Sequence, residues 1–217
     1  MMNKEFLDSL IRKSDLDNKS YNENKILKNN DISFYIKDKP DFKNYIVLDF
    51  ETTGLSPFND KIVEIGAIKV EDNKIIDKFE MLINPKIAIP SHVSKIINIT
   101  NNMVADKPSI DQIFKSFVDF LGDFNLVIHN AKFDMGFLIV NGENLGFNIK
   151  NKALDTISVT KDLFPDLKKY NLASLCKHFK IENKNAHRAM SDVLATYELY
   201  KILYDKYNKK QISLFDM

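Results

Sequence analysis

The stretch "KNYIVLDFETTGL" (residues 43–55) decides how this chain folds. Tyr45 to Phe50 is a nearly continuous apolar run with β-branched residues, the pattern of a buried strand. Asp49 and Glu51 stand at the end of that run, and Thr52, Thr53 and Gly54 follow. Period two puts both acids on one face, close to the C-terminal end of the strand, and the chain turns just beyond them. Two carboxylates side by side are costly unless a cation lies between them. Taken alone, the pair also suits a solvated strand end leading into a turn.

Working outward, "KIVEIGAIKVEDNKIIDKFEMLINP" (61–85) reads as two strands joined at Asp72-Asn73, good residues for a tight hairpin. After a loop, "PSIDQIFKSFVDFLG" (108–122) carries Ile110, Ile113, Phe114, Phe117 and Leu121 at helical spacing. Ser109 with Gln112 makes a capping box, and Gly122 can end the helix. "NLVIHN" (125–130) is a short strand, "AKFDMGFLIVNGENLG" (131–146) a helix, and "KALDT" (152–156) a last short strand. "NLASLCKHF" (171–179) is a helix with Leu172, Leu175, Cys176 and Phe179 on one face. The final helix, from Ala189 to about Tyr207, buries Val193, Tyr197, Tyr200 and Tyr204. A hairpin-rich start followed by strand-helix alternation implies an α/β fold. Its mixed sheet has about five strands, the first three antiparallel-connected, with helices on its faces.

Residues 1–43 are a polar extension to which the sequence assigns no role. Within it Phe6, Leu7, Leu10 and Ile11 suit one short amphipathic helix, and "DISFYI" (31–36) an extra strand or a packed segment. The bulk numbers are those of an ordinary globular protein, 44% hydrophobic and 28% charged. A net charge of +1 neither announces nor excludes a nucleic-acid partner, because metal ions and local patches supply field of their own. The single cysteine, Cys176, allows no internal disulfide and fits a reducing cytoplasm. No apolar run approaches a membrane span, and the N-terminus has no secretory signal.

Two further segments change the reading of Asp49 and Glu51. "HNAKFD" (129–134) puts Asp134 in the first turn of a helix, just after a strand. "HRAMSD" (187–192) puts His187 and Asp192 at the start of the last helix. Five positions on an ideal helix turn through about 500°, so His187 is expected to precede the regular helix and swing toward Asp192. Strand C-termini and the helix starts that follow them gather at one edge of such a sheet. Four carboxylates and an imidazole would meet there, and two magnesium ions would keep the acids ionised. His129 reads as a structural strand-end residue, His92 and His178 as surface, and Cys176 as core.

"DFETTG", "HNAKFD" and "HRAMSD", in this order and spacing, resemble the three motifs of the DEDDh exonucleases, the family of the bacterial proofreading epsilon subunit. The resemblance covers roughly residues 44 to 207 and extends through "LDTISVTKDLFPDLKKYNLASLCKHFKI" (154–181). The His-x-x-x-x-Asp form of the last motif indicates the histidine branch. Where many relatives have Gly-Ile-Thr before the first long helix, this chain has Asn98-Ile99-Thr100, and Asn tolerates the left-handed backbone of such a turn.

The resemblance implies a ribonuclease H-like fold and a 3′→5′ exonuclease acting on single-stranded or frayed DNA 3′ ends. Asp49, Glu51, Asp134 and Asp192 would hold two divalent ions, Mg²⁺ or Mn²⁺, and His187 would take the proton from the attacking water. Thr52, Thr53, Gly54, Leu55, Asn130 and Phe133 would line the terminal nucleotide, with Leu55 wedged against its base. Thr-Thr-Gly is equally an ordinary turn, and Phe133 equally a core residue. An RNA-trimming enzyme of the same family shares these motifs. A non-catalytic interaction module has no need of the intact acids and His187. A phosphotransferase with an aspartyl nucleophile leaves "HRAMSD" unexplained.

The end of the chain, residues 208–217, reads as a tail. Its "QISLF" (211–215) resembles the peptide by which bacterial replication and repair proteins dock on the sliding clamp. Gln211, Leu214 and Phe215 would make the contact, favouring DNA over RNA as substrate; the alternative is that Leu214 and Phe215 fold back on the protein. The family's proofreading subunits usually carry a further polymerase-gripping segment. A freestanding or clamp-recruited enzyme therefore fits better here than a stable polymerase subunit.

Overall fold

A computed structural model of the chain describes residues 36, 37, 39 and 42–215, without the side chains of residues 36, 37, 211 and 213–215. The helix expected around Phe6 to Ile11 lies outside the described residues. Six strands form one sheet: β1 (Ile36–Lys37), β2 (Tyr45–Thr52), β3 (Ile62–Glu71), β4 (Lys74–Leu82), β5 (Asn125–Ile128) and β6 (Ala153–Asp155). Their order is β1-β6-β5-β2-β3-β4. β2, β3 and β4 are antiparallel neighbours, whereas β5, β6 and β1 run parallel to β2. The sheet is therefore mixed as expected. Its sixth strand is the two-residue β1, at the end of the segment read as an extra strand.

The β3–β4 hairpin turns on Asp72 (φ 48°) and Asn73 (φ 63°), the paired left-handed residues of a type I′ turn. Seven helices complete the described fold: α1 (Ser91–Ile97), α2 (Asn101–Val104), α3 (Ile110–Leu121), α4 (Ala131–Leu145), α5 (Thr156–Leu163), α6 (Leu172–Phe179) and α7 (Ala189–Phe215). α3 begins with the Ser109 N–H donating to Gln112 Oε1 at 2.9 Å, as the capping box requires. Asn98 closes α1 in the left-handed conformation, φ 55°.

Four elements depart from the sequence reading. α1 and α2 occupy what reads as loop, because α1 starts after Pro90 with no side-chain cap and contains β-branched Val93, Ile96 and Ile97. α5 is likewise rich in β-branched residues. It is held by its cap, Asp155, whose side chain accepts from the Ile157 N–H. The helix expected to end near Tyr207 runs on to Phe215, so residues 208–215 continue it rather than fray. No Gly or Pro follows Pro165, and Lys, Gln and Leu sustain a helix.

Strand alternation sorts the core into two layers. Ile46, Leu48 and Phe50 face one side with Ile65, Leu126 and Ile128, against Phe114, Phe117, Met135 and Leu138 of α3 and α4. Tyr45 and Val47 face the other with Ile68, Val127 and Leu154, against Leu175 of α6 and Val193, Tyr197 and Tyr200 of α7. Each fully buried side chain of this size contributes about 1.5–3 kcal/mol, which fixes the register of β2. Asp49 and Glu51 continue the face of Tyr45 and Val47, so the register that buries the core aims both acids toward the start of α7.

Candidate active site

The apolar face of β2 gives way to carboxylates where α7 begins. Asp49 pairs with Gly66 on β3, and Glu51 with Glu64. A Cβ on Gly66 would lie 2.6 Å from the Ala189 carbonyl carbon and 2.8 Å from the Met190 nitrogen. Only glycine lets the first turn of α7 come this close to the sheet. Asp192 then reaches the acids of β2, and carboxylate oxygens of Asp49, Glu51 and Asp192 lie within 4.8 Å of one another.

Asp134 enters from the other layer, in the first turn of α4. It is buried, and its Oδ1 accepts the Phe50 N–H at 2.9 Å, between Asp49 and Glu51 in sequence. It stands outside the group of three but close enough to raise the Asp49 carboxyl. Burial, then Asp134, Glu51 and Asp192 in that order, hold Asp49 well above the usual carboxylate range. Burial, then Asp192 and Glu64, push Glu51 up to about 8. Burial pushes Asp134 up to about 8, opposed by the hydrogen bond from Phe50. Acids packed this way keep protons at neutral pH unless cations replace them. The donor set suits a hard divalent ion. Oxygens around octahedral Mg²⁺ lie about 3 Å apart when adjacent and about 4.2 Å when opposite, so the three acids draw closer together as an ion binds.

His187 precedes α7 with φ 65°, and its N–H donates to Asp192 Oδ2 at 3.0 Å. Its side chain is exposed. The left-handed residue removes the half-turn mismatch that a continuous helix would impose. Asp192 Oδ1 accepts from Asn183 Nδ2 at 2.6 Å, and Asn183 is held in turn by the Ser191 hydroxyl at 2.7 Å.

The turn after Glu51 is closed by Asp60, which accepts from the Ser56 N–H at 2.9 Å and the Thr53 hydroxyl at 3.3 Å. A Cβ on Gly54 would meet the Asp60 carboxylate at 2.5 Å. Thr53 is buried and its hydroxyl also accepts the Lys61 N–H, so that side chain belongs to the loop. The Thr52 hydroxyl donates to the Gly54 carbonyl at 2.6 Å. Leu55 stands 84% exposed at the tip, an apolar side chain with no cover of its own. Asn130 is exposed at φ 69°, and its N–H donates to Asp155 Oδ1 at 3.1 Å. Phe133 is half-buried against Phe137, ring centroids 5.1 Å apart. His129 is the structural residue expected, with Nδ1 2.8 Å from the Thr156 hydroxyl and burial pulling its pKa down to about 4. His92 and His178 are exposed, and Cys176 is buried. The side chains of Gln211, Leu214 and Phe215 lie outside the described residues.

Sequence reasoning missed the residues that seat these groups: Glu64, Gly66, Asp155, Asn183 and Arg188. One signal was available, since a glycine inside a strand, as in "VEIGAI", marks close backbone approach.

Comparison with known proteins adds three findings. The family model RNase_T, described as exonuclease, matches residues 46–200. A "DNA polymerase III PolC-type" of Clostridium perfringens is 42% identical over 173 residues, which are 80% of this chain and 12% of that protein. The chain thus spans about an eighth of the length of that relative. Among solved structures, "Exonuclease X in complex with 5′ overhanging duplex DNA" is 30% identical with a TM-score of 0.62, over 76% of this chain and 92% of that one. The rAMP-bound nuclease domain of 3′hExo, a DEDDh family member, shares the fold at 17% identity and a TM-score of 0.64, over 76% and 94%.

Proposed function

Since this chain belongs to the RNase_T exonuclease family, we propose that it is of the DEDDh branch and removes nucleoside 5′-monophosphates one at a time from DNA 3′ ends. The observation that carries the reading is the set of acids gathered from one strand and two helix starts, three with oxygens within 4.8 Å. Among the described residues the cation beside them is Arg188, which already pairs with Glu64.

Asp49, Glu51, Asp134 and Asp192 would hold two divalent ions, which would supply Lewis acidity for hydrolysis of the phosphodiester. His187 accepts the proton of that water. Its exposed position before α7 lets the ring reach solvent, and imidazole is the side chain suited to proton transfer near neutral pH. Leu55 packs on the terminal base, and the turn 52–60 presents the strand end to the acids. Thr52, Gly54 and Asn130 approach the nucleotide through backbone and hydroxyl groups, and Thr53 supports the loop behind them. Phe133 forms the pocket wall.

DNA is favoured over RNA by the overhanging duplex DNA held by the 30%-identical Exonuclease X, and by the DNA polymerase to which the PolC-type relative belongs. The exonuclease domain takes in residues 44–207, with an extension before it. Residues 211–215 recruit it to a sliding clamp in the cytoplasm. Among the described residues no helix is long and apolar enough to cross a membrane.

The test is digestion of matched 5′-labelled single-stranded, duplex and mismatched-end DNA and RNA, with Mg²⁺ or Mn²⁺. DNA should shorten stepwise, single strands and frayed ends fastest. Preferential loss of the RNA would replace this reading with an exoribonuclease. Intact substrates throughout would end it.

A further inference from the structure

One ion pair near the acids lies outside the group of three whose oxygens could share an ion. Glu64 lies on β3 directly across from Glu51, with its side chain only 2% exposed. A buried carboxylate beside a like charge is costly unless it is fully paired. Its partners all come from the start of α7. Arg188 Nη2 donates to Oε1 at 2.6 Å, and Arg188 Nε lies 3.1 Å from Oε2. The Ala189 N–H donates to Oε2 at 2.9 Å. Arg188 and Ala189 fall between His187 and Asp192 in the chain, so one carboxylate grips the segment that carries both.

We propose that Glu64 and Arg188 are a positioning pair. They lock the 187–192 segment onto β3, so that His187 and Asp192 stand in register with Asp49 and Glu51. The inference rests on His187 acting as the base and Asp192 as an ion ligand. The grip explains how His187 keeps a left-handed backbone, a conformation that persists where surroundings over-determine it. It also acts with Gly66. The glycine removes the obstacle to approach, and Glu64 supplies the attachment from the same face of β3. The planar guanidinium matters as well as the charge, because two of its nitrogens meet the carboxylate at once. At Glu51, Arg188 and Glu64 act in opposite senses, so pairing them offsets what either alone would do to the acids.

Arg188→Lys keeps the charge and removes the fork, and Glu64→Gln keeps the shape and removes the charge. Turnover on single-stranded DNA, Mn²⁺ binding by calorimetry and thermal melting are measured for both. Arg188→Lys should lose about tenfold or more in kcat and bind Mn²⁺ more weakly, because His187 and Asp192 both shift, while KM stays within about threefold of wild type. Glu64→Gln should lose kcat similarly, and weaken Mn²⁺ binding because Arg188 is then uncompensated. A kcat of Arg188→Lys within about twofold of wild type overturns the proposal, as does a loss confined to KM. Failure of both variants to fold makes the pair a stability element and also overturns it. An inactive wild type, or full turnover by His187→Ala, would instead refute the function on which it rests.

Discussion

At the N-terminal end of α7, Glu64 grips Arg188 and Ala189, Gly66 admits the backbone, and Asn183 and the His187 N–H hold Asp192. At the other end of the same helix, no described side chain from Asp205 onward is buried, and Ile212 is exposed. One end is fixed by contacts from several directions, and at the other the described side chains are half-buried or exposed, with Lys206 over the Phe164 ring. Chemistry that depends on sub-ångström placement belongs at the first end, and recruitment of a partner suits the solvent-facing second.

The largest effect should come from the fixed end. His187→Ala is expected to lower turnover by about 100- to 10,000-fold. Calorimetric Mn²⁺ binding should survive, because the proposal gives the ring a proton to carry and no ion to hold. Loss of ion binding in that variant would show that His187 holds metal rather than a proton. Next comes the close approach itself. Gly66→Val drives a side chain into the backbone of Ala189 and Met190. Overpacking of this kind costs about 1–3 kcal/mol, and melting should show it together with a fall in activity. A variant as stable and active as wild type would mean that α7 need not sit so near the sheet.

A smaller effect tests the charge of the site. Glu51 and Asp134 ionise at about 8 in the fold, against ordinary values of 4.5 and 3.8. Between these limits the folded state binds more protons than the unfolded state, so the metal-free protein should lose stability as pH rises from about 4 to about 8. Divalent ions replace those protons, and their stabilisation should grow over the same window. Scanning calorimetry should therefore show a larger Mn²⁺-induced rise in Tm at pH 8 than at about pH 5.5. Equal shifts at both values would show that the acids are already ionised without metal. The smallest effect belongs to the C-terminal end of α7. Deleting residues 211–217 should slow digestion of clamp-encircled DNA about tenfold and clamp-free DNA far less. Equal rates on both substrates would remove the docking role.

The sequence made one side of this comparison easier to read than the other. Asp49, Glu51, Asp134, His187 and Asp192 were legible because local pattern placed each at a strand end or helix start. The Asp72-Asn73 turn and the left-handed Asn98 were legible for the same reason, being set by residues next to them. Glu64 and Arg188 were not, since their pairing spans 124 positions and depends on how the sheet and α7 come together. α7 runs past Tyr207 because the polar residues that follow sustain the helix rather than stop it. α5 is hard to read from sequence because its β-branched residues argue against a helix and its Asp155 cap argues for one.

The most direct test labels the 3′-terminal nucleotide of single-stranded DNA and follows where the label goes, with wild-type protein and Asp49→Ala, each with Mg²⁺ and with chelator. The label should leave at the earliest times as a nucleoside 5′-monophosphate, only with wild-type protein and only with Mg²⁺. Release as oligonucleotides, equal release by Asp49→Ala, or release in chelator would contradict the account.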